Sequence, residues 1–167
     1  MATLTGEILI DRAVDVVFDT VADERNEPLY NPAMVSAEKL TEGPIGAGTR
    51  FKAVHASRRR PIEMIVEFTD YDRPRHLASA TTMSWGEVRG ELTFHAVPAG
   101  TRMQWTWDIR PRGVAKLATP LVTAIGRRAE RACWSGLKRY LEAGSPLAQV
   151  ESVPPPSSST TPTCADP

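Results

Sequence analysis

Cysteine is scarce in this chain of 167 residues: there are two, Cys133 and Cys164. Two thiols so placed make neither a disulfide framework nor a set of metal ligands. Histidine is limited to His55, His76 and His95, and with no three or four converging ligands in view, neither a metal nor a cofactor is expected. No GxSxG, HExxH or Walker-type loop occurs. The run Gly43–Gly48 (GPIGAG) lacks the lysine and the following helix that a phosphate loop needs, and it reads as a turn leading into a strand. Excess charge is missing too, since 20 basic residues balance 20 acidic ones. That balance excludes a general nucleic-acid binder, whose phosphate contacts require a strong positive excess. The longest weakly polar stretch, Val114–Gly126, contains Lys116 and Pro120 and falls short of a bilayer span. The opening residues MATLTGEILIDR have no basic start and no long apolar stretch, so no secretory signal is read there. A cytoplasmic protein without stable membrane insertion is the expectation, with transient membrane contact open and a monomer or homodimer equally open.

What is present is ordinary for a folded protein: 41% hydrophobic and 24% charged residues. The charge is unevenly distributed. Residues 1–50 carry four basic and nine acidic side chains, and residues 51–143 carry sixteen basic and nine acidic ones. The end of the chain separates from the rest, because Pro, Ser and Thr make up 14 of the 24 residues at 144–167. Such a segment cannot bury enough apolar surface to offset the ordering of the chain, and it reads as a disordered tail. The folded domain is expected over residues 1–143.

Within it, Thr3–Ile10 reads as a first strand. Val14, Val17, Phe18 and Val21 then fall on one face of a helix over 13–22, with Asp11 as its expected cap. A second short helix around 23–30 ends before Asn31-Pro32, because the residue before proline avoids the helical region. Alternating segments follow: Ile62, Met64, Val66, Phe68; then Val88, Gly90, Leu92, Phe94; then Met103, Trp105, Trp107, Ile109. Period two with one polar face predicts antiparallel strands that bury one side. Turn signals at Gly43-Pro44, Arg73-Pro74, Trp85-Gly86 and Ala99-Gly100 divide the region into six strands. The last element, 114–143, is a helix whose apolar face is expected to run through Leu117, Leu121, Ile125, Ala132, Leu137 and Leu141. Glycine at 144 supplies a stop. A curved sheet with one apolar face must be covered, and one long helix leaves either large side chains or a cavity to fill the remaining space.

The order of these elements, with EILIDRAVDVVFDTVADERNEPLYNP, VSAEKLTEGPIGAGTRFK, EFTDYDRPRHLA and GELTFHAVPAGTRMQWTWDIRP, resembles the helix-grip fold of the START-like SRPBCC superfamily. The similarity is to its bacterial polyketide cyclase/dehydrase and lipid transport branch. The resemblance implies an α+β fold in which a seven-stranded curved antiparallel sheet wraps around a long C-terminal helix, with two short helices after the first strand. It also implies a hydrophobic cavity between sheet and helix. Fold does not fix function here, because the superfamily hosts carriers, cyclases, hydrolases and plain binders.

Placed on that scheme, the expected cavity residues are Phe51, Ala53 and His55, then Met64, Val66 and Phe68, then Ser79 and Thr81. Val88, Leu92, Met103, Trp105 and Trp107 follow, and Leu117, Leu121, Ile125 and Arg128 come from the helix. Tyr30 is expected at the cavity mouth. His55 can orient a polar ligand or act as a general base, and Tyr30 is the other weak catalytic candidate. Arg128 can pair with a ligand carboxylate or phosphate, or simply lay its stem along the helix. The Arg58-Arg59-Arg60 tip reads as a solvated turn. The leading expectation is a non-catalytic binder or carrier of a small hydrophobic molecule such as a lipid, isoprenoid or polyketide-like aromatic. A cyclase, dehydratase or hydrolase working in the same cavity is the alternative. A regulatory or toxin–antitoxin-type interaction protein is the third class.

Overall fold

A computed structural model describes residues 2–57, 60–113 and 119–144, with only the backbone described for 119–123. Its elements in order are β1 (Ala2–Ile10), α1 (Val14–Ala22), a 3-10 turn (Glu24–Asn26), α2 (Glu27–Tyr30), β2 (Met34–Lys39), β3 (Arg50–His55), β4 (Ile62–Asp72), β5 (His76–Met83), β6 (Gly86–Val97), β7 (Gly100–Pro111) and α3 (Thr119–Glu142). The strands form one antiparallel sheet in the order β1-β7-β6-β5-β4-β3-β2. Every connection from β2 to β7 is therefore between neighbours, and β1 closes the far edge by pairing with the last strand. This is the α+β helix-grip architecture. Leu117, Arg58, Arg59 and the tail beyond Gly144 lie outside the described residues.

The alternation read in the sequence sets which side chains point inward. Phe51 and Ala53 of β3, Phe68 of β4, Phe94 of β6 and Met103 of β7 are all at or below 2% exposure. The register slips between Met34 and Ser36 in β2, and again in β4, where the pairing with β5 shifts between Phe68 and Asp70. The extra residue lets both Phe68 and Tyr71 face inward, three positions apart. Tyr71 then packs edge-on against Phe18 of α1, with ring centroids 5.2 Å apart, and Phe18 meets Phe94 at 5.1 Å. So α1 fills one end of the curved sheet with solid core.

Asp11 does not cap α1: the residue flanking the helix is Ala13, and no side chain supplies the cap. The Asp11 backbone N–H instead donates to Glu142 Oε1 at 2.9 Å, at the other end of the chain. Arg12 donates to the Glu142 carbonyl at 3.0 Å, and Lys138 Nζ donates to the Leu9 carbonyl at 2.7 Å. These bonds fasten the C-terminal end of α3 to the β1–α1 corner. Gly144, with φ of +82°, ends the helix in the left-handed region as its position foretold.

The inward stripe of α3 differs from the expected one. Cys133, Trp134, Leu137 and Leu141 are buried, whereas Ala132 is exposed and Ile125 is 61% exposed. The stripe runs through Gly126, Glu130, Cys133/Trp134, Leu137 and Leu141. Drawing it through Ala132 starts one residue early, which is about 100° around a helix. The error came from choosing apolar residues only, because the inward place one turn before Trp134 is held by a carboxylic acid. Two glycines let the elements approach. Gly136 faces the Tyr30 carbonyl so closely that any Cβ would overlap it, and Gly90 leaves room on β6 for the indole of Trp107.

Candidate functional site

Between α1, α2 and α3 on one side and the middle strands on the other lies a cavity of about 220 Å³. Its sheet wall is almost wholly apolar. Met64, Val66 and Phe68 come from β4, Leu77 and Met83 from β5, and Val88 and Leu92 from β6. Only Ser79 and Thr81 place hydroxyls there, with His55 at the end of β3. The His55 Nδ1 lies 3.0 Å from the Ala56 carbonyl. A carbonyl only accepts, so Nδ1 carries the hydrogen of this bond.

The helical wall is chemically different. The 3-10 turn and α2 contribute Glu24, Glu27, Tyr30 and Asn31, and α3 contributes Glu130, Cys133 and Trp134. Local chemistry fixes each of them. Asp23 caps the turn by accepting from the Arg25 backbone N–H at 3.1 Å, and it pairs with the Arg25 guanidinium at 2.7 Å. That turn sets Glu24, Glu27 and Tyr30 at three-residue spacing on the face toward the cavity. Asn31 donates to Glu27 Oε1 at 2.7 Å and accepts from the Ala33 N–H at 3.1 Å, so it braces Glu27 against the start of β2. The Cys133 thiol also approaches Glu27 Oε1, at 3.8 Å.

Glu130 is held from both sides of the cavity. The indole N–H of Trp107 (β7) donates to its Oε2 at 2.8 Å, and that of Trp134 donates to the same oxygen at 2.9 Å. Burial still raises the Glu130 carboxyl above its ordinary value, against the lowering effect of the two indoles. Glu24 is pushed well above the usual carboxylate range, first by burial and then by the charge of the neighbouring Glu27. Burial also raises the Tyr30 hydroxyl and the Cys133 thiol well above their usual values, with Glu27 as the next cause for both. Tyr30 therefore stays a neutral phenol, and Cys133 an unreactive thiol.

Of the residues expected at a cavity, Tyr30, His55, Met64, Val66, Phe68, Ser79, Thr81, Val88, Leu92 and Trp107 line this one. Phe51, Ala53 and Met103 point to the correct side of the sheet, but there the interior is filled, and they are fully buried at 0% exposure. Trp105 packs on Trp134 at 5.6 Å and lines a separate shallow depression beside β1. Arg128 is exposed and does not reach the cavity; Ile125 lies in an outer groove. The backbone of Leu121 lies in α3, but its side chain is outside the described residues. Sequence reasoning missed Glu24, Glu27, Glu130 and Cys133. The readable signal was the spacing of three that links Glu24, Glu27 and Tyr30, and the place of Glu130 one turn before Trp134.

The family described as polyketide cyclase / dehydrase and lipid transport matches residues 1–142. The chain belongs to this family. Solved structures agree on the architecture. A protein from Thermus thermophilus superposes with a TM-score of 0.74 at 19% identity, covering 86% of this chain and all of that one. The ZhuI aromatase/cyclase from Streptomyces sp. R1128 superposes with a TM-score of 0.70 at 17% identity, covering 86% of this chain and 98% of the other. The di-domain aromatase/cyclase BexL from the BE-7585A biosynthetic pathway gives 0.70 at 20% identity, with this chain spanning 47% of it. At these identities the likeness concerns the fold. No curated protein matches the sequence. No described helix is long and apolar enough to cross a membrane.

Proposed function

We propose that this family member binds a small, largely apolar molecule in the cavity between the sheet and α3. The observation that carries the reading is the sheet wall: a continuous surface of Met, Val, Leu and Phe side chains faces empty space instead of packed core. Apolar area removed from water is worth roughly 25 cal/mol per Å², so such a wall gives affinity without specific chemistry. The hydroxyls of Ser79 and Thr81 and the Nε2 of His55 supply orientation. Native mass spectrometry of the protein purified from its own host tests this, and a retained apolar mass in one-to-one stoichiometry is expected. Protein that stays empty even when candidate lipids and aromatics are supplied overturns it.

A second reading, a cyclase or dehydratase working in the same cavity, is favoured by one feature. Glu24 and Glu27 both line the apolar pocket, and burial favours the protonated form of Glu24. Removal of water needs a donor for the leaving hydroxyl and an acceptor for the C–H proton, and in this reading Glu24 is the donor and Glu27 the acceptor. The aromatase/cyclase activity named for the structural neighbours adds support to this reading. Loss of one water from a supplied β-hydroxy ketone, abolished in both Glu24→Gln and Glu27→Gln, is its expected signature. Turnover unaffected by either change removes the pair from any catalytic role, and unchanged turnover in His55→Ala does the same for the imidazole.

A further inference from the structure

With the cavity taken as the ligand site, as proposed above, the chemistry of its helical wall narrows what the ligand can be. Glu24, Glu27 and Glu130 all face the space, and among the described residues no lysine or arginine lines it. Of the basic residues of α3, Arg127, Arg128, Arg131 and Arg139 are exposed, and Lys138 is bound to Glu142 and the Leu9 carbonyl. A second feature points to a missing partner. Tyr30 is only 7% exposed and lines the cavity, yet among the described residues its hydroxyl makes no hydrogen bond. No buried polar side-chain atom is without a partner among the described residues, so the phenol oxygen is open to the cavity space and not sealed in the core. Glu130 is similar: both indoles bind Oε2, and Oε1 receives no hydrogen bond among the described residues.

An anionic head group would bring one more negative charge to this wall with no cation among the described residues to meet it, at a site where water screens poorly. A cationic head meets the opposite situation. It finds the Glu24 and Glu27 carboxyl groups on one wall, and gains the Tyr30 oxygen as an acceptor. The aromatic side chains of Tyr30 and Trp134 on the same wall, and of Trp107 on β7 across from them, suit a nitrogen cation as well. Among the described residues no three His, Cys, Asp or Glu side chains are grouped to hold a metal ion, which leaves an organic cation.

We propose that the ligand is a small apolar amine whose ammonium group binds Glu24 and Glu27 and donates to the Tyr30 hydroxyl oxygen, while its hydrocarbon body lies on the sheet wall. The expected sign of the ligand charge is thus opposite to the one that Arg128 suggested from the sequence.

Octylamine, octanol and octanoate share one hydrocarbon chain and differ in head group. Calorimetric titration of the full chain with each, below micelle-forming concentration and at neutral pH, tests the proposal. Octylamine is expected to bind one-to-one and about tenfold tighter than octanol, to compete with it, and octanoate to bind most weakly. Glu24→Gln and Glu27→Gln are each expected to bring the amine-to-alcohol ratio close to one, while Arg128→Ala leaves the ratio unchanged. Octanol or octanoate binding as tightly as octylamine overturns the amine assignment and leaves the cavity reading standing. Failure of all three to bind overturns both. A ratio that survives both glutamine variants also overturns the assignment, and a variant that does not fold leaves the decision with the three head groups on the unaltered chain.

Discussion

On the sheet side of the cavity, seven apolar side chains from three strands stand in register, and any one of them is a variation on its neighbours. On the helical side, each group has its own fixture: Asn31 holds Glu27, two indoles hold Glu130, and Asp23 holds the turn that carries Glu24. The sheet wall follows from a period-two pattern and does one thing, exclusion of water. The helical wall departs from its own apolar pattern and keeps carboxyl groups where they are expensive to bury. Positions that break a burial pattern, while being braced by dedicated hydrogen bonds, are where selectivity for a ligand resides.

The two walls answer differently to substitution. The largest effect is expected on the sheet side. Phe68→Ala removes a ring that is 1% exposed and packs against Phe51 at 5.5 Å. It should cost about 3–5 kcal/mol in a denaturant titration, and the enlarged cavity should admit bulkier ligands. Next comes the joint between the helices. Gly136→Ala puts a methyl group into the Tyr30 carbonyl and should cost about 1–3 kcal/mol, read as a lower Tm. Trp107→Phe takes one of two donors from Glu130 and should cost about 1–2 kcal/mol, with the loss larger at high pH where Glu130 is ionised.

Smaller effects separate the walls by pH. The folded chain holds the Glu24 proton more tightly than the unfolded chain does. That advantage is whole at pH below the ordinary carboxylate range and is lost as pH rises through the folded value. Glu24→Gln is therefore expected to match the parent in acid and to exceed it increasingly toward alkaline pH, by on the order of 1 kcal/mol. At the far end of α3 the sign reverses. The Asp11 N–H and then Lys138 hold the Glu142 carboxyl below its usual value, so Glu142→Gln should lose stability at neutral pH and converge with the parent as acid protonates the group. Melting curves of both variants across pH check the pair. If Glu24→Gln gains nothing above neutral pH, the helical wall carries no buried charge to relieve.

The strands were legible because their signal is repeated. Three alternating runs, with turn residues dividing the region, leave little choice of topology, and the slips in β2 and β4 escaped, since one added residue looks like ordinary alternation failing. The helical wall was not legible for the opposite reason. Asking which side chains are apolar hides Glu130, and it and Glu27 look like any solvated acids until two indoles and an asparagine are found pointing at them. Phe51, Ala53 and Met103 were placed on the correct face but not on the cavity, because alternation gives the side of the sheet and says nothing of where α1 fills it.

The attachment of α3 has a mechanical consequence. The helix is pinned through Glu142, Lys138 and Gly136, and residues 133–141 are mostly buried, whereas 124–132 stand largely exposed above Val88 and Trp107. A shallow apolar groove of Leu4, Ile62, Trp85 and Ile109 shares Val88, Trp107, Ala129 and Glu130 with the cavity, so the 124–132 half of the helix lies over the threshold between them. The Trp107–Glu130 hydrogen bond spans that threshold, so the contact that fixes the carboxyl also ties helix to sheet where groove and cavity meet.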